Sequence, residues 1–173
     1  MTQLLRRATG MILLAWLAVS PAVAAEKTYE KPSAFLTRVF GSVPKTRVLA
    51  LSGDQRKQLA AILGHRYREQ KIRYWSGGGK TAWILDEIGK TEPITNGIVI
   101  RDGKIAEIKV LIYRESHGWE VSRPFFTAQF TGASLAGTRL DKKVDGIVGA
   151  TLSVRALTKV SAAALYLSKQ SGN

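Results

Sequence analysis

Apolar residues recur along this chain with two different periods, and the change of period divides it into helices and strands. The first helix is predicted over 31–40, with Pro32 tolerated in its opening turn and Gly41 as its stop. A second covers 54–63, with Ser52 or Asp54 as its cap, Leu59, Ile62 and Leu63 turned inward and Gly64 ending it. Strands follow at 72–75, 81–86, 97–101 and 104–114, the last two joined by Asp102-Gly103, a dipeptide suited to a two-residue hairpin turn. In the longest strand Ile108, Val110 and Ile112 alternate with Glu107, Lys109 and Leu111, which predicts a sheet with one packed face and one mostly wet face. A short helix is expected over 122–130, capped and begun by Ser122-Arg-Pro124, anchored by Phe125, Phe126 and Phe130 and ended by Gly132; 138–143 is a polar loop. Finally Leu152, Ala156, Val160, Ala163 and Leu167 recur at spacings of three and four, the mark of a core helix over 151–169. Helix, helix, strands, helix is the order of an α+β domain, an antiparallel sheet packed with helices.

The first 25 residues follow a different pattern. Arg6 and Arg7 precede an apolar run, and Ala22-Val-Ala24 offers a small-residue cleavage site, so 1–25 is read as a secretory signal peptide and 26–173 as the mature domain. An uncleaved anchor is the alternative, disfavoured because the run is short and closed by Ser20-Pro21. Thr9 and Gly10 stand where a twin-arginine signal prefers apolar residues, which favours general secretion. An exported, extracytoplasmic, soluble protein is the expectation.

Composition narrows the chemistry. Cysteine is absent, which excludes disulfides, thiol catalysis, iron–sulfur and zinc–thiolate sites and a covalent c-type haem. The two histidines are too few for a histidine-rich metal site, and none is predicted. The formal charge is +13, of which Arg6 and Arg7 supply two, leaving +11 for residues 26–173. Such a field speeds encounters with acidic redox partners or holds a protein near an anionic membrane surface. Nucleic acid is not expected as a partner, because the basic residues are dispersed with no aromatic-interleaved cluster. Ser76-Gly-Gly-Gly-Lys-Thr81 invites a nucleotide-binding reading, but the P-loop pattern needs a glycine where Tyr74 stands, and a glycine-rich hairpin accounts for it. His65, behind the stop glycine of the second helix, is read as structural.

The chemistry concentrates in Asp145-Gly-Ile-Val-Gly-Ala-Thr-Leu-Ser153, which places a hydroxyl at the start of a helix. The first turn of a helix has unpartnered N–H groups and partial positive charge, so an anion is favoured there. Gly149 and Ala150 keep the approach clear for a phosphorylated group at Thr151. Ser153 is either a phosphate contact or an ordinary first-turn residue, and Leu152 flanks both. Asp145 is read as a carboxylate bracing the loop or as a simple turn residue.

Asp145, Gly149, Ala150 and Thr151 resemble the flavinylation motif of the FMN-binding domain family, which is related to the flavin subunits of sodium-pumping quinone reductase and Rnf-type complexes. A second block, Tyr113-Arg-Glu-Ser-His-Gly-Trp-Glu-Val121, resembles the Y-R-E-x-x-G-x-E-V stretch of the small exported members, and residues 94–105 and Gln129-Phe-Thr-Gly132 match in character and order. One departure stands out: Val148 occupies the position of a family serine or threonine and removes a hydroxyl that would hold phosphate or guide the modifying enzyme. The resemblance covers about Trp83 to the end of the chain. It implies an α+β FMN-binding domain over 26–173 whose last helix follows the flavinylation loop, with FMN on Thr151 through a phosphoester. It also implies a separate FAD-dependent, magnesium-requiring FMN transferase for maturation, and electron transfer with a membrane or soluble redox partner. Within the second block the resemblance suggests a turn lining the flavin. Glu115 would contact the cofactor or the threonine loop, Gly118 would give room, and His117 would line the site or belong to a plain strand-end turn. Trp119 and Trp75 are candidates to stack near the flavin ring, against the commoner role of core residues. The alternatives are a module that binds FMN or another phosphorylated ligand reversibly, and a basic structural protein of the cell envelope. A stand-alone enzyme is not indicated, since no catalytic constellation or substrate pocket can be read.

Overall fold

The computed structural model describes residues 26–172; the signal-peptide reading of 1–25 lies outside the described residues. A six-stranded antiparallel sheet runs in the order β1-β6-β5-β4-β3-β2. Its strands are β1 (Lys27–Thr28), β2 (Arg47–Ala50), β3 (Lys71–Gly77), β4 (Lys80–Ile88), β5 (Pro93–Arg101) and β6 (Lys104–Tyr113). Helix α1 (Pro32–Phe40) lies between β1 and β2, and α2 (Gly53–Leu63) between β2 and β3. After β6 come a 3-10 turn (Trp119–Ser122), the single-turn α3 (Pro124–Thr127), a second 3-10 turn (Ala128–Phe130), a small hairpin of β7 (Leu135–Ala136) with β8 (Arg139–Leu140), and the long helix α4 (Thr151–Gln170). The sheet with its flanking helices is a single α+β domain.

Local sequence accounts for most element ends. Pro32 opens α1 and Gly41, at φ +83°, closes it. Ser52 caps α2 in a reciprocal box: its hydroxyl accepts from the Gln55 N–H at 3.1 Å while the Gln55 side chain accepts from the Ser52 N–H at 2.8 Å. The β5–β6 turn places Asp102 at φ +51° and Gly103 at φ +69°, the left-handed pair that such a hairpin requires. The glycine-rich segment is likewise the β3–β4 turn.

The sheet is covered on both sides. On one face Trp83, Ile98, Ile100, Ile108, Val110 and Tyr113 pack against α2 and α4, including Leu59, Leu157, Val160 and Leu167. On the other, Ala82, Val99 and Leu111 bury against Phe35 and Leu36 of α1. The close approach of α1 depends on Gly97, where a Cβ would come within 2.7 Å of the Phe35 ring. The expectation of a mostly wet second face is therefore corrected: α1 folds over it, and a four-residue ionic cluster ties it down, with Arg38 bonded to Glu30 at 3.0 Å and Glu107 at 2.6 Å and Lys109 to Glu30 at 2.9 Å.

The expected alternation in β6 also breaks. Asn96 pairs with Val110 but Thr95 pairs with Ile112, so Leu111 is an extra residue, a β-bulge. Ile108 and Val110 face α4, Leu111 and Ile112 face α1, and Tyr113 returns to the α4 side. Ile112 thus does not share a face with Ile108 and Val110. Three further expectations are corrected. Ser122 does not cap α3, because its hydroxyl donates to the Trp119 carbonyl at 2.7 Å. Arg139 and Leu140 leave the supposed polar loop to form β8. Leu152, placed on the core stripe of α4, is 42% exposed, because Ser153 and Leu157 carry the buried face at that end.

Candidate functional site

Helix α4 begins without a side-chain cap. Gly149 turns the chain at φ +82°, and Ala150 occupies the N-cap position with no polar group to offer. The Val154 N–H returns to the Ala150 carbonyl at 2.9 Å, whereas the N–H groups of Thr151, Leu152 and Ser153 meet no acceptor among the described residues. Three orphan donors at the positive end of a twenty-residue helix make this turn a receptor for an anion. Thr151 is its first helical residue, with an exposed side chain. Beside it lies a cleft of about 470 Å³ lined by residues 90–91, 115–117 and 149–153, within the range of small-ligand pockets.

The two blocks singled out in the sequence meet here. Gly118, at φ +86°, sits so close to the first turn of α4 that a Cβ would lie 2.9 Å from Ser153 Oγ, 3.0 Å from Tyr113 Oη and 3.3 Å from the Ala150 methyl group. Tyr113 Oη donates to the His117 carbonyl at 2.5 Å and lies 2.9 Å from Ser153 Oγ. Its single proton is on the carbonyl, so Ser153 must be the donor in the second bond. The buried Ser153 hydroxyl therefore has no proton left for a phosphate, and only its backbone N–H faces that task. Burial raises the Tyr113 phenol to about 12 against the lowering effect of the Ser153 bond, with the charges of Glu115 and Glu120 adding to the rise.

Glu115 lines the cleft but its carboxylate is engaged with the β4–β5 turn. It accepts from the N–H groups of Lys90, Thr91 (2.7 Å) and Glu92 (2.9 Å) and from the Thr91 hydroxyl (3.2 Å). Burial works to raise its pKa, but these bonds outweigh burial and hold the carboxyl below its ordinary value. The residue fixes the far wall of the cleft, 90–91, opposite the start of α4. Its carboxylate makes no hydrogen bond to the threonine loop among the described residues.

His117 is exposed at the rim and contributes its carbonyl to Tyr113. Asp145 is exposed, and its carboxylate makes no hydrogen bond among the described residues; instead its N–H donates to the Gln129 side chain at 2.8 Å, which explains why a glutamine belongs there. Val148 projects fully into solvent. Trp119 carries two cations against its ring, Arg123 at 4.9 Å and Lys27 at 5.5 Å from the centroid. Trp75 packs on the α1 side of the sheet, the face away from α4. His65 pairs with the buried Glu87 at 3.0 Å, a link between the end of α2 and the sheet. Lys90, Thr91, Ser116 and Tyr113 were not among the sequence candidates, although they line or support the cleft. The first two come from a turn 60 residues upstream of Thr151, with no local pattern to announce them; Tyr113 begins the second block and its hydroxyl was the available signal.

An α+β domain that presents an uncapped helix N-terminus, an accessible threonine and a cleft beside them has donors and space suited to a phosphate group. Residues 89–166 match the family model of the FMN-binding domain, in agreement with the resemblance read from the sequence. The match runs from the β4–β5 turn into α4 and includes every residue lining the cleft; β1 to β4, α1 and α2 lie outside it. FMN is the cofactor this match supports. No curated protein and no solved structure is significantly similar to the chain.

Proposed function

We propose that the protein is an exported flavoprotein that carries FMN covalently, through a phosphoester to Thr151 Oγ1, and passes electrons between redox partners. The observation that carries this reading is the exposed Thr151 hydroxyl on the same helical turn as three unpartnered N–H groups. Those donors and the helix dipole offset the phosphate charge. Gly149 and Gly118 leave the approach narrow but unblocked, and the exposed Leu152 gives an apolar lip to the cleft. Lys90, on the opposite wall, supplies a cation facing an anionic ligand. Attachment forms one bond, from Thr151 Oγ1 to the FMN phosphorus of FAD, with loss of the hydroxyl proton and departure of AMP; an FAD-dependent, magnesium-requiring transferase outside this chain performs it. When bound, the isoalloxazine ring supplies one- and two-electron chemistry, and the protein supplies its position. Residues 1–25 direct the chain out of the cytoplasm in this reading, and the tether then keeps a scarce cofactor from diffusing away.

The test is the intact mass of the denatured protein after coexpression with an FMN transferase in a host that exports both. A gain of one FMN less one water, on the peptide containing Thr151, is expected, and Thr151→Ala should lose it while keeping its near-ultraviolet circular dichroism. Flavin that persists on the denatured Thr151→Ala protein places the attachment elsewhere. A second reading, reversible FMN binding, is favoured by one observation: the fully exposed Val148 offers no hydroxyl to a phosphate or a transferase. It predicts yellow protein that releases all its flavin on denaturation.

A further inference from the structure

A separate groove of about 740 Å³ runs along α4, bounded by the end of α2 and by the β7–β8 hairpin with the loop after it. Its buried floor is aliphatic, with Ile62, Leu140 and Ala162. Its rim is basic. Arg139, Lys143 and Arg155 are exposed and Lys159 half-buried, and none of the four makes a hydrogen bond or ion pair with a described residue. The other two charged residues are already occupied: Lys142 donates to the Thr131 carbonyl at 2.9 Å, and Asp141 accepts from the Ser134 N–H at 2.9 Å and hydroxyl at 2.5 Å. Four unpartnered cations around one apolar trough repel one another and gain when an anionic chain enters between them.

We propose that this groove binds an acidic, aliphatic segment of a protein partner, carboxylates to the rim and apolar side chains to the floor. Two features separate this occupant from the others. No aromatic side chain among the described residues lines the groove, so a nucleotide base or free flavin finds no stacking surface there. The apolar residues sit at the bottom of a concavity, where a bilayer surface does not reach but an extended peptide does. Arg155 lies one helical turn beyond Thr151, an axial rise of about 6 Å, so a partner held there stands beside the flavin. That the partner exchanges electrons rests on the carrier reading above; the affinity of the groove does not.

The test is fluorescence polarisation with a labelled twelve-residue peptide of alternating Glu and Leu, on flavin-free and flavin-loaded protein. Binding should weaken about tenfold or more between low salt and 0.5 M NaCl and by a similar factor in the R139E/K143E/R155E protein. A Gln/Leu peptide should not bind. The control K45E/K71E/K104E, which removes the same charge from surfaces away from the groove, should leave affinity within about twofold. Equal loss in both triple variants means a diffuse charge effect and overturns the proposal, as does equal binding of the Gln/Leu peptide. Binding to phosphatidylglycerol vesicles without binding to the acidic peptide assigns the surface to lipid and also overturns it. Since the flavin-free protein serves equally, a failure of covalent flavinylation leaves this result readable.

Discussion

Gly118→Ala is the sharpest single perturbation of the site, because two independent costs meet at one methyl group. The backbone there is at φ +86°, where an L side chain costs about 1–2 kcal/mol. The new Cβ also falls 2.9 Å from Ser153 Oγ and 3.0 Å from Tyr113 Oη, two buried atoms that hold each other, and overpacking of this kind costs about 1–3 kcal/mol. The sum is about 2–5 kcal/mol, or about 4–20 °C in Tm at this chain length. Gly137→Ala separates the two terms: it has φ +64° but nothing within 4 Å of the added methyl, so it should lose only about 1 kcal/mol. Urea denaturation followed by circular dichroism measures both. If the two variants lose the same amount, the close contact between the Gly118 turn and α4 contributes nothing and the account of how the two blocks are joined is wrong. Flavin content gives a second readout. Displacing the first turn of α4 should lower FMN incorporation in Gly118→Ala and not in Gly137→Ala.

Glu115→Gln should cost about 1–3 kcal/mol, since it weakens an acceptor shared by three backbone donors. The wild-type carboxyl titrates lower when folded than its ordinary value of 4.5, so its contribution is present above that value and disappears as the pH falls through the folded pKa; the variant should show a shallower loss of stability on acidification. Tyr113→Phe leaves the His117 carbonyl and the Ser153 hydroxyl each without a partner and should cost about 1–3 kcal/mol. In the wild type, the phenol at about 12 means that the unfolded chain loses this proton first, so stability should decline as the pH rises above about 10, a slope absent from Tyr113→Phe. Val148→Ser should leave stability within about 0.5 kcal/mol, because the side chain is fully exposed, and should speed flavin attachment by the transferase; an unchanged rate assigns that position no part in modification.

Elements with both ends marked by local chemistry were legible in the sequence. Pro32 and Gly41 bound α1, the Ser52–Gln55 box and Gly64 bound α2, and Asp102-Gly103 defines the β5–β6 turn. The short edge strands β1 and β2 were not, because two to four residues carry no period of their own and their state is decided by pairing with β6 and β3. The covered second face was missed for the same reason: whether α1 lies on the sheet depends on Gly97 making room for Phe35, a contact across 62 positions. At the site, Thr151 and Gly149 were readable from helix-start chemistry, and the proximity of the second block came through resemblance. The partners of Glu115 were not readable, because a carboxylate in sequence does not say which backbone turn will close around it.

The bulge at Leu111 has a consequence for how this strand can vary in length. Removing that residue returns β6 to plain alternation and leaves Tyr113 on the α4 side, because Leu111 and Ile112 face α1 together and the bulge already absorbs the extra position. A single insertion or deletion in the regular part of the strand has no such slack and turns the residues beyond it to the opposite face, taking Tyr113 away from Ser153. The bulge is thus a point where this strand can lose one residue of length and still hold the Gly118 turn against α4.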